Sequence, residues 1–319
     1  MKRLGAVAAV ICGLFVLSTG LVLAEARASA QAAATTPKAA TTPPAADTPP
    51  PPTPDPTPTP AATQTPSHPS FDPLGSAVEK IVATSGAGIA VALIELGGPD
   101  PEAWSLAGSQ QFEAASTYKL PLLMWMAQLV AAGQLDVAGE VCYLDSDWED
   151  GWFTDYTTGD CFTRQELAAR VGLYSDNTAA HMLVRDLGGS DSLNAFARAY
   201  GATGSMFYDV NTTTAADLAA IWEAEVRGEI GGSAAQAWLY PLLSHTKFET
   251  GVSAGVPSSV TVVHKTGEVD GVVHDAALVT SGPGGPYILV VMTDNLGGNA
   301  AFKAVAEVSA AVWQYETSR

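Results

Sequence analysis

The 319-residue sequence has little basic charge, little charge of either sign and very little cysteine. It holds 15 lysine and arginine residues against 33 aspartate and glutamate residues, which gives a net charge of −18 at pH 7. A chain this acidic lacks the positive surface that attracts nucleic acids and anionic membranes, so no nucleic-acid partner is expected. Only 15% of the residues are charged while 47% are hydrophobic, a composition that suits a globular domain with a sizeable core.

The first 30 residues predict an export signal. A short basic start is followed by an uncharged apolar run from Leu4 to Ala24, and three A-x-A cleavage patterns lie between Ala24 and Ala30. This order is typical of a secretory signal peptide, so we expect a secreted or extracytoplasmic protein on the cell-wall or periplasmic side. The apolar run is also long enough to span a bilayer. An uncleaved membrane anchor is therefore the alternative, and we expect membrane contact only in that case.

Residues 31–70 form a proline-, threonine- and alanine-rich segment without apolar bulk. Fourteen of the 21 prolines fall between Pro37 and Pro73. Such a segment cannot bury enough surface to fold, which predicts a disordered, semi-stiff linker. The folded domain is expected over residues 71–319. Its two cysteines, Cys142 and Cys161, predict one disulfide in an exported protein, with two free thiols as the alternative.

Hydrophobic periodicity predicts a mixed domain whose strands come from both ends of the sequence. We expect strands at Gly88–Leu96 and Trp104–Phe112, then a set of helices, then three more strands and a closing helix. The predicted helices are Leu74–Ala83, residues 117–132, Thr163–Leu173, Thr178–Leu187, Leu193–Tyr200, Thr214–Val226, Ser233–Leu243 and Asn299–Tyr315. The predicted late strands are Thr261–Lys265, Val272–Thr280 and Ile288–Thr293. The expected fold class is α/β of the α+β type, an antiparallel sheet flanked by helices with an all-helical lobe inserted.

The segment between the two cysteines is rich in acids and aromatics. Its acid spacing is close to that of a calcium loop, but counting from Asp145 puts glycine at the seventh position and Tyr156 at the twelfth. A calcium loop needs glycine at the sixth position and glutamate at the twelfth, so we predict no metal and a stapled aromatic surface loop. The next segment, Thr163 to Glu166, fits a helix capping box, which favours a capping role for Glu166 over an acid–base role.

A serine and a lysine three residues apart precede the long apolar helix. Ser116 and Lys119 share a face if the run is helical. A neutral lysine amine is able to take the proton of a serine hydroxyl and so activate it as a nucleophile. The same S-x-x-K pattern recurs at Ser244 and Lys247, and we interpret that second copy as accidental.

Two further short motifs follow the Ser116 motif in order. Ser175-Asp176-Asn177 lies between two predicted helices, and Lys265-Thr266-Gly267 ends a predicted strand. Each alone is typical of a cap or a turn. Together, S-x-x-K, S-D-N and K-T-G resemble the motif set of class A β-lactamases and penicillin-binding proteins. The resemblance extends to the flanking residues and covers nearly the whole folded domain, from Leu74 to Trp313.

This resemblance implies a β-lactamase/transpeptidase-like fold and a serine acyl-enzyme mechanism. The catalytic residues that it implies are Ser116 as nucleophile, Lys119 as base, Ser175 as proton relay, and Lys265. The substrate contacts that it implies are Asn177, Thr266, Gly267 and Glu268. Backbone N–H groups of Ser116 and Glu268 match the family positions for an oxyanion site, which needs two convergent donors. No cofactor is expected.

The sequence departs from the class A pattern just before Thr212. Class A enzymes carry a long Ω-shaped loop there, with a glutamate that activates water for deacylation. Here the loop is shortened, and no glutamate lies between Asp191 and Glu223. Asp209 is the candidate replacement base, with a plain turn residue as the alternative. The family arginine after K-T-G is also missing, and His274 is expected to be structural.

These residues leave three functions open. The first is an exported class A-type hydrolase that β-lactams acylate at Ser116 and that hydrolyses them, if slowly. The second is a penicillin-binding D-Ala-D-Ala carboxypeptidase acting on peptidoglycan stem peptides. The third is a β-lactam or cell-wall sensor that stays acylated. We expect a monomer in each case.

Overall fold

The computed structural model describes residues 70–319. The predicted signal or anchor and the predicted linker, apart from Ser70, lie outside the described residues. Within residues 70–319, no helix is both long enough and apolar enough to span a bilayer.

The described chain contains eight α-helices and nine strands. The helices are α1 (Asp72–Ser85), α2 (Lys119–Ala131), α3 (Arg164–Tyr174), α4 (Asn177–Asp186), α5 (Gly189–Ala199), α6 (Ala215–Val226), α7 (Gly232–Leu239) and α8 (Gly298–Ser318). The strands are β1 (Gly88–Glu95), β2 (Ala103–Leu106), β3 (Gln111–Glu113), β4 (Glu140–Cys142), β5 (Cys161–Thr163), β6 (Thr212–Thr214), β7 (Val262–Val269), β8 (Val272–Gly282) and β9 (Gly285–Asp294).

The main sheet is antiparallel and has five strands in the order β2-β1-β9-β8-β7. The chain's first strand therefore pairs with its last, as Val91 opposite Val291 shows. The helices α2 to α7 come between the first two strands and the last three. This confirms the predicted fold class of an antiparallel sheet flanked by helices with a helical lobe inserted.

Both faces of the sheet are buried at β1 and β9, which explains why these two strands are nearly continuous apolar runs. Along β1, Ala90 and Ala92 pack into the core shared with the helical lobe, whereas Val91 and Leu93 pack into the core under α1 and α8. Successive side chains of a strand point to opposite faces, so a strand covered on both sides has no polar alternation. The sheet therefore holds β7 rigidly at its edge.

The helix α2 lies inside the larger core. Leu120, Leu122, Leu123 and Met124 have no exposed surface. A helix that is apolar on all sides is expected to be enclosed by other elements. The residue that begins α2, Lys119, is buried with it.

Two strand predictions were wrong in extent. Trp104–Phe112 is not one strand, because Ala107 takes a left-handed conformation with φ of 49° and Gln110 N–H closes a turn onto its carbonyl at 2.9 Å. The second half pairs with β6 in a separate two-stranded sheet. The K-T-G motif lies within β7 rather than at its end, since β7 continues to Val269.

The predicted disulfide is present. Cys142 on β4 and Cys161 on β5 are bonded, 19 positions apart in sequence. Acidic side chains of the loop that they close contact other residues of the protein. The Asp147 carboxylate, for example, forms an ion pair with Arg185 at 2.8 Å. Of the predicted capping box at α3, only half forms, because Thr163 accepts the Glu166 N–H whereas the Glu166 carboxylate turns to Arg170.

Candidate active site

The candidate nucleophile lies on a tight turn that opens the central helix. Ser116 belongs to a 3-10 turn, Ala115–Tyr118, and α2 begins directly after it at Lys119. Ala115 has a left-handed backbone with φ of 46°, which is uncommon for a residue with a side chain and marks a strained turn. Ser116 is half-buried, so its hydroxyl lies where the core meets the cleft.

Lys119 is fully buried next to Ser116. Its Nζ lies 2.9 Å from Oγ of Ser116, 2.7 Å from the backbone oxygen of Ser175 and 2.5 Å from Oδ1 of Asn177. The last two oxygens are acceptors only. A neutral amine satisfies all three contacts by donating two N–H groups to them and accepting the Ser116 hydroxyl hydrogen. This is the geometry of a general base on a serine nucleophile.

Burial is the main reason that the Lys119 amine is able to lose its proton. It lowers the pKa of Lys119 from 10.5 to about 7, against the opposing charges of Glu149 and Asp176. Burial also holds the pKa of Lys265 well below its usual range, and the charge of Lys119 lowers it further. Desolvation is therefore the main cause of both shifts, and the charge of Lys119 adds to the shift of Lys265.

Ser175 connects the two lysines. Its Oγ lies 2.8 Å from Nζ of Lys265 and 3.4 Å from Nζ of Lys119. The turn that holds it is built from two helix ends. Ser175 closes α3 in a left-handed conformation, and Asp176 caps α4 by accepting the Ala179 N–H. The capping interpretation is therefore confirmed for Asp176, and the two helix ends fix where the Ser175 hydroxyl points.

The disulfide-closed loop is tied to the same motif. The Asp176 carboxylate accepts the Tyr156 hydroxyl at 2.6 Å and the Phe153 N–H at 2.9 Å. The Asn177 amide donates to the Asp150 carbonyl at 2.7 Å. The loop thus forms one wall of the site rather than a separate surface feature.

The third motif approaches the Ser116 turn from β7. A Cβ on Gly267 would lie 3.0 Å from the Ala114 oxygen and from two atoms of Thr117, which is closer than ordinary contact. Glycine is therefore required for β7 to pass this close to the nucleophile. Thr266 precedes it and Glu268 follows it, and both line the cleft beside Ser116. As the edge strand, β7 has N–H groups that no neighbouring strand takes.

These motifs converge on a cleft of about 540 Å³. Its polar lining includes Ser116, Ser175, Asn177, Thr266 and Glu268. An aromatic cluster lines the same cleft, with the Trp152 ring 5.6 Å from the Tyr174 ring and 6.2 Å from the Phe248 ring. Polar groups at a strained serine and apolar rings nearby suit a small amide-bearing ligand.

A second recess of about 560 Å³ also reaches Ser116 and is lined by four carboxylate residues, Glu113, Glu149, Asp209 and Glu268. The predicted replacement base, Asp209, is exposed and its Oδ2 accepts the Ser190 hydroxyl at 2.5 Å. Sequence reasoning gave Glu149 no role in the site. The only available signal was an acid inside a cysteine-bounded loop, and no periodicity relates that loop to Ser116.

The two histidines near the third motif are structural. His274 is fully buried, donates from Nε2 to the Glu113 carbonyl at 2.7 Å and accepts the Thr293 N–H at Nδ1. Burial lowers its pKa to about 4, so it stays neutral as a spacer behind the site. His264 lies beside the Asp275 carboxylate at 2.9 Å.

Comparison with known proteins assigns the chain to a family. The model of the β-lactamase enzyme family matches residues 73–316. The β-lactamase CTX-M-8 of Citrobacter amalonaticus is 34% identical over 143 residues, which are 40% of this chain and 49% of that protein. The β-lactamase of Mycobacterium tuberculosis strain H37Rv is 31% identical over 39% of this chain and 47% of that protein. The chain thus spans about half the length of these relatives.

Solved structures show the same fold. PBP-A superposes with a TM-score of 0.73 at 24% identity, covering 81% of this chain and all of that one. A β-lactamase from Sphaerobacter thermophilus has a TM-score of 0.70 at 24% identity, covering 78% of this chain and 99% of that one. With a family model that matches most of the sequence, the chain belongs to the β-lactamase enzyme family.

Proposed function

We propose that this protein is an exported serine hydrolase that β-lactams acylate at Ser116 and that hydrolyses them. The observation that carries the proposal is the 2.9 Å contact between the Ser116 hydroxyl and a lysine amine whose pKa is about 7. A related fold, that of a PBP-A variant, has been solved as an acyl-enzyme complex with penicillin G.

Acylation follows from the contacts of the site. Lys119 Nζ takes the Ser116 proton as Oγ attacks the β-lactam carbonyl, and the new C–O bond gives a tetrahedral oxyanion. The proton then passes from Lys119 to the Ser175 hydroxyl, which gives its own proton to the ring nitrogen. The C–N bond breaks, and the acyl ester on Ser116 remains. Thr266, which lines the cleft, receives the ligand's carboxylate.

A second candidate is a D-Ala-D-Ala carboxypeptidase. The short segment before Thr212 favours it, since the long loop that class A enzymes use for deacylation is replaced by a few residues. The fold similarity to PBP-A supports the same alternative. Acylation would proceed through the same atoms, with D-alanine as the leaving amine.

The test uses a chromogenic cephalosporin and intact mass. We expect a covalent adduct on the purified chain and its loss in Ser116→Ala. Ser244→Ala is the matched control, because Ser244 belongs to the other S-x-x-K pattern and donates to the Tyr240 carbonyl. A folded protein that forms no adduct would refute the proposal. Release of D-alanine from a stem peptide without turnover of the cephalosporin would favour the carboxypeptidase.

A further inference from the structure

A carboxylate from the disulfide-closed loop faces the same recess as the nucleophile. Glu149 and Ser116 both line it, together with Asn177, His181 and three other carboxylate residues, Glu113, Asp209 and Glu268. The Glu149 side chain keeps 51% of its surface exposed, so water reaches it. Hydrolysis of an acyl-enzyme needs this combination of a base, a water-accessible space and the ester.

The backbone of Glu149 is fixed by the first turn of α4. Thr178, the residue after Asn177, is fully buried. Its hydroxyl lies 3.1 Å from the Glu149 nitrogen and 2.8 Å from the Glu149 oxygen. Glu149 is therefore held by the same helix end that presents the S-D-N motif, although the two segments are far apart in sequence.

His181 fixes the side chain of Glu149. It lies one turn after Thr178 on α4, and its Nε2 is 2.8 Å from Oε2 of Glu149. The other ring nitrogen faces the Asp147 carbonyl at 3.2 Å, and the Tyr208 ring packs edge-on against the imidazole at 5.1 Å. The imidazole therefore has one orientation, and it presents a donor to the carboxylate.

The carboxylate of Glu149 is ionised and lies within electrostatic reach of the acylation machinery. The hydrogen bond from His181 is the largest cause lowering its pKa, and the charges of His181 and Lys119 add to this against the opposing effect of burial. In return, the Glu149 charge is the first of the two that raise the pKa of Lys119. The charge of Asp209 is not among the causes of either pKa shift. It raises the pKa of Tyr208 instead.

We propose that Glu149 is the general base of deacylation and that His181 is its positioning residue. Glu149 takes a proton from a water molecule whose oxygen attacks the acyl ester carbonyl. The tetrahedral intermediate collapses by breaking the bond to Ser116 Oγ, the proton held by Glu149 returns to Oγ, and the product leaves as a carboxylic acid. This inference rests on the proposed function, because it needs the acyl-enzyme that acylation of Ser116 supplies.

The rates of adduct formation and adduct decay distinguish a failure of this inference from a failure of the proposed function. The mass of the full chain is followed after mixing with penicillin G, so that formation and decay of the adduct are measured independently. We expect Glu149→Gln to form the adduct at the wild-type rate and to lose it on the order of 10²–10⁴ times more slowly, the range for a general base. Glu140→Gln, an exposed glutamate on β4, is the matched control and should decay like wild type.

The positioning role of His181 has its own readout. His181→Phe should slow decay of the adduct without slowing its formation, and His181→Gln, which keeps an N–H donor, should restore much of the decay rate. Equal effects of the two substitutions on both rates would indicate a merely structural histidine.

Four results would overturn the inference. Wild-type decay in Glu149→Gln refutes it while leaving acylation intact. Slow decay in Asp209→Asn, without slow decay in Glu149→Gln, assigns the base to Asp209. A wild-type adduct that never decays shows that no deacylation base operates. Failure of the wild-type protein to form any adduct removes both the inference and the proposed function.

Discussion

Replacing Lys119 with arginine is expected to abolish most acylation, because it puts a permanently charged group where a neutral amine acts as the base. A guanidinium stays protonated at every accessible pH, so it is unable to accept the Ser116 proton. Loss of a general base lowers a rate by about 10²–10⁴-fold. Because the lysine is fully buried, Lys119→Met serves as a second variant that lacks both the charge and the base, and we expect it to lose acylation to the same degree.

The fraction of Lys119 that is neutral in the wild-type protein follows from the pKa of its amine. Burial lowers it from 10.5 to about 7. At pH 7.5 roughly three quarters of the amine is then neutral, whereas an ordinary lysine is neutral in about one molecule per thousand. The buried site therefore raises the concentration of the active base about 750-fold at this pH.

The direction in which the acylation rate changes with pH follows from the same pKa of Lys119. The acylation rate should rise about tenfold per pH unit below pH 7 and level off above it, as the fraction of neutral amine does. The assay is the second-order rate of adduct formation with a chromogenic cephalosporin between pH 5.5 and 9. Lys247→Arg is the matched control in the other S-x-x-K pattern. A flat wild-type profile from pH 6 to 8, or a folded Lys119→Arg protein with normal acylation, would refute the reasoning.

Two further perturbations test the framework behind the site. In Gly267→Ala, the new Cβ meets Ala114 and Thr117 at 3.0 Å and displaces β7 from the nucleophile, so acylation should fall by about 10²-fold while the fold persists. His264 tests stability: burial disfavours its charged form, but Asp275 and Glu249 outweigh burial and raise its pKa to about 9. The resulting stabilisation, about 3 kcal/mol, is complete below pH 6.5 and is lost as pH rises through 9.

Each of the two has a decisive measurement. Normal acylation in Gly267→Ala would show that β7 is able to retreat without misplacing its donors. For His264, urea unfolding is measured at pH 6.5, 8 and 9.5. The free energy of unfolding should fall with rising pH in the wild-type protein and not in His264→Gln. The same slope in both proteins would assign it to another group.

The motif residues were predictable because each is held by the element that the local sequence specifies. Lys119 begins an uninterrupted apolar run, which is why it is buried and why its amine is neutral. Ser175 sits between two helices whose ends its neighbours cap. Lys265 lies in a β-branched strand. In each case local pattern and chemical role point to the same position.

The features that the sequence did not predict depend on contacts between distant segments, which no local pattern encodes. Glu149 reaches the recess because Thr178 and His181, about thirty positions later, hold it there. The break after β2 depends on a left-handed alanine, which propensity disfavours. The three-residue strands β3 and β6 are too short to show alternation and form only because they pair with each other.

The Cys142–Cys161 disulfide divides the proposed reaction between two parts of the molecule. Ser116 and Lys119 lie on the rigid core outside the bonded loop, whereas Glu149 lies within it. The same loop also contacts the acylation machinery, because Phe153 and Tyr156 donate to Asp176 and the Asp150 carbonyl accepts from Asn177. Reduction is therefore expected to slow both formation and decay of the adduct. One covalent bond in the loop thus supports both halves of the proposed reaction, and an oxidising environment is expected to favour the active arrangement.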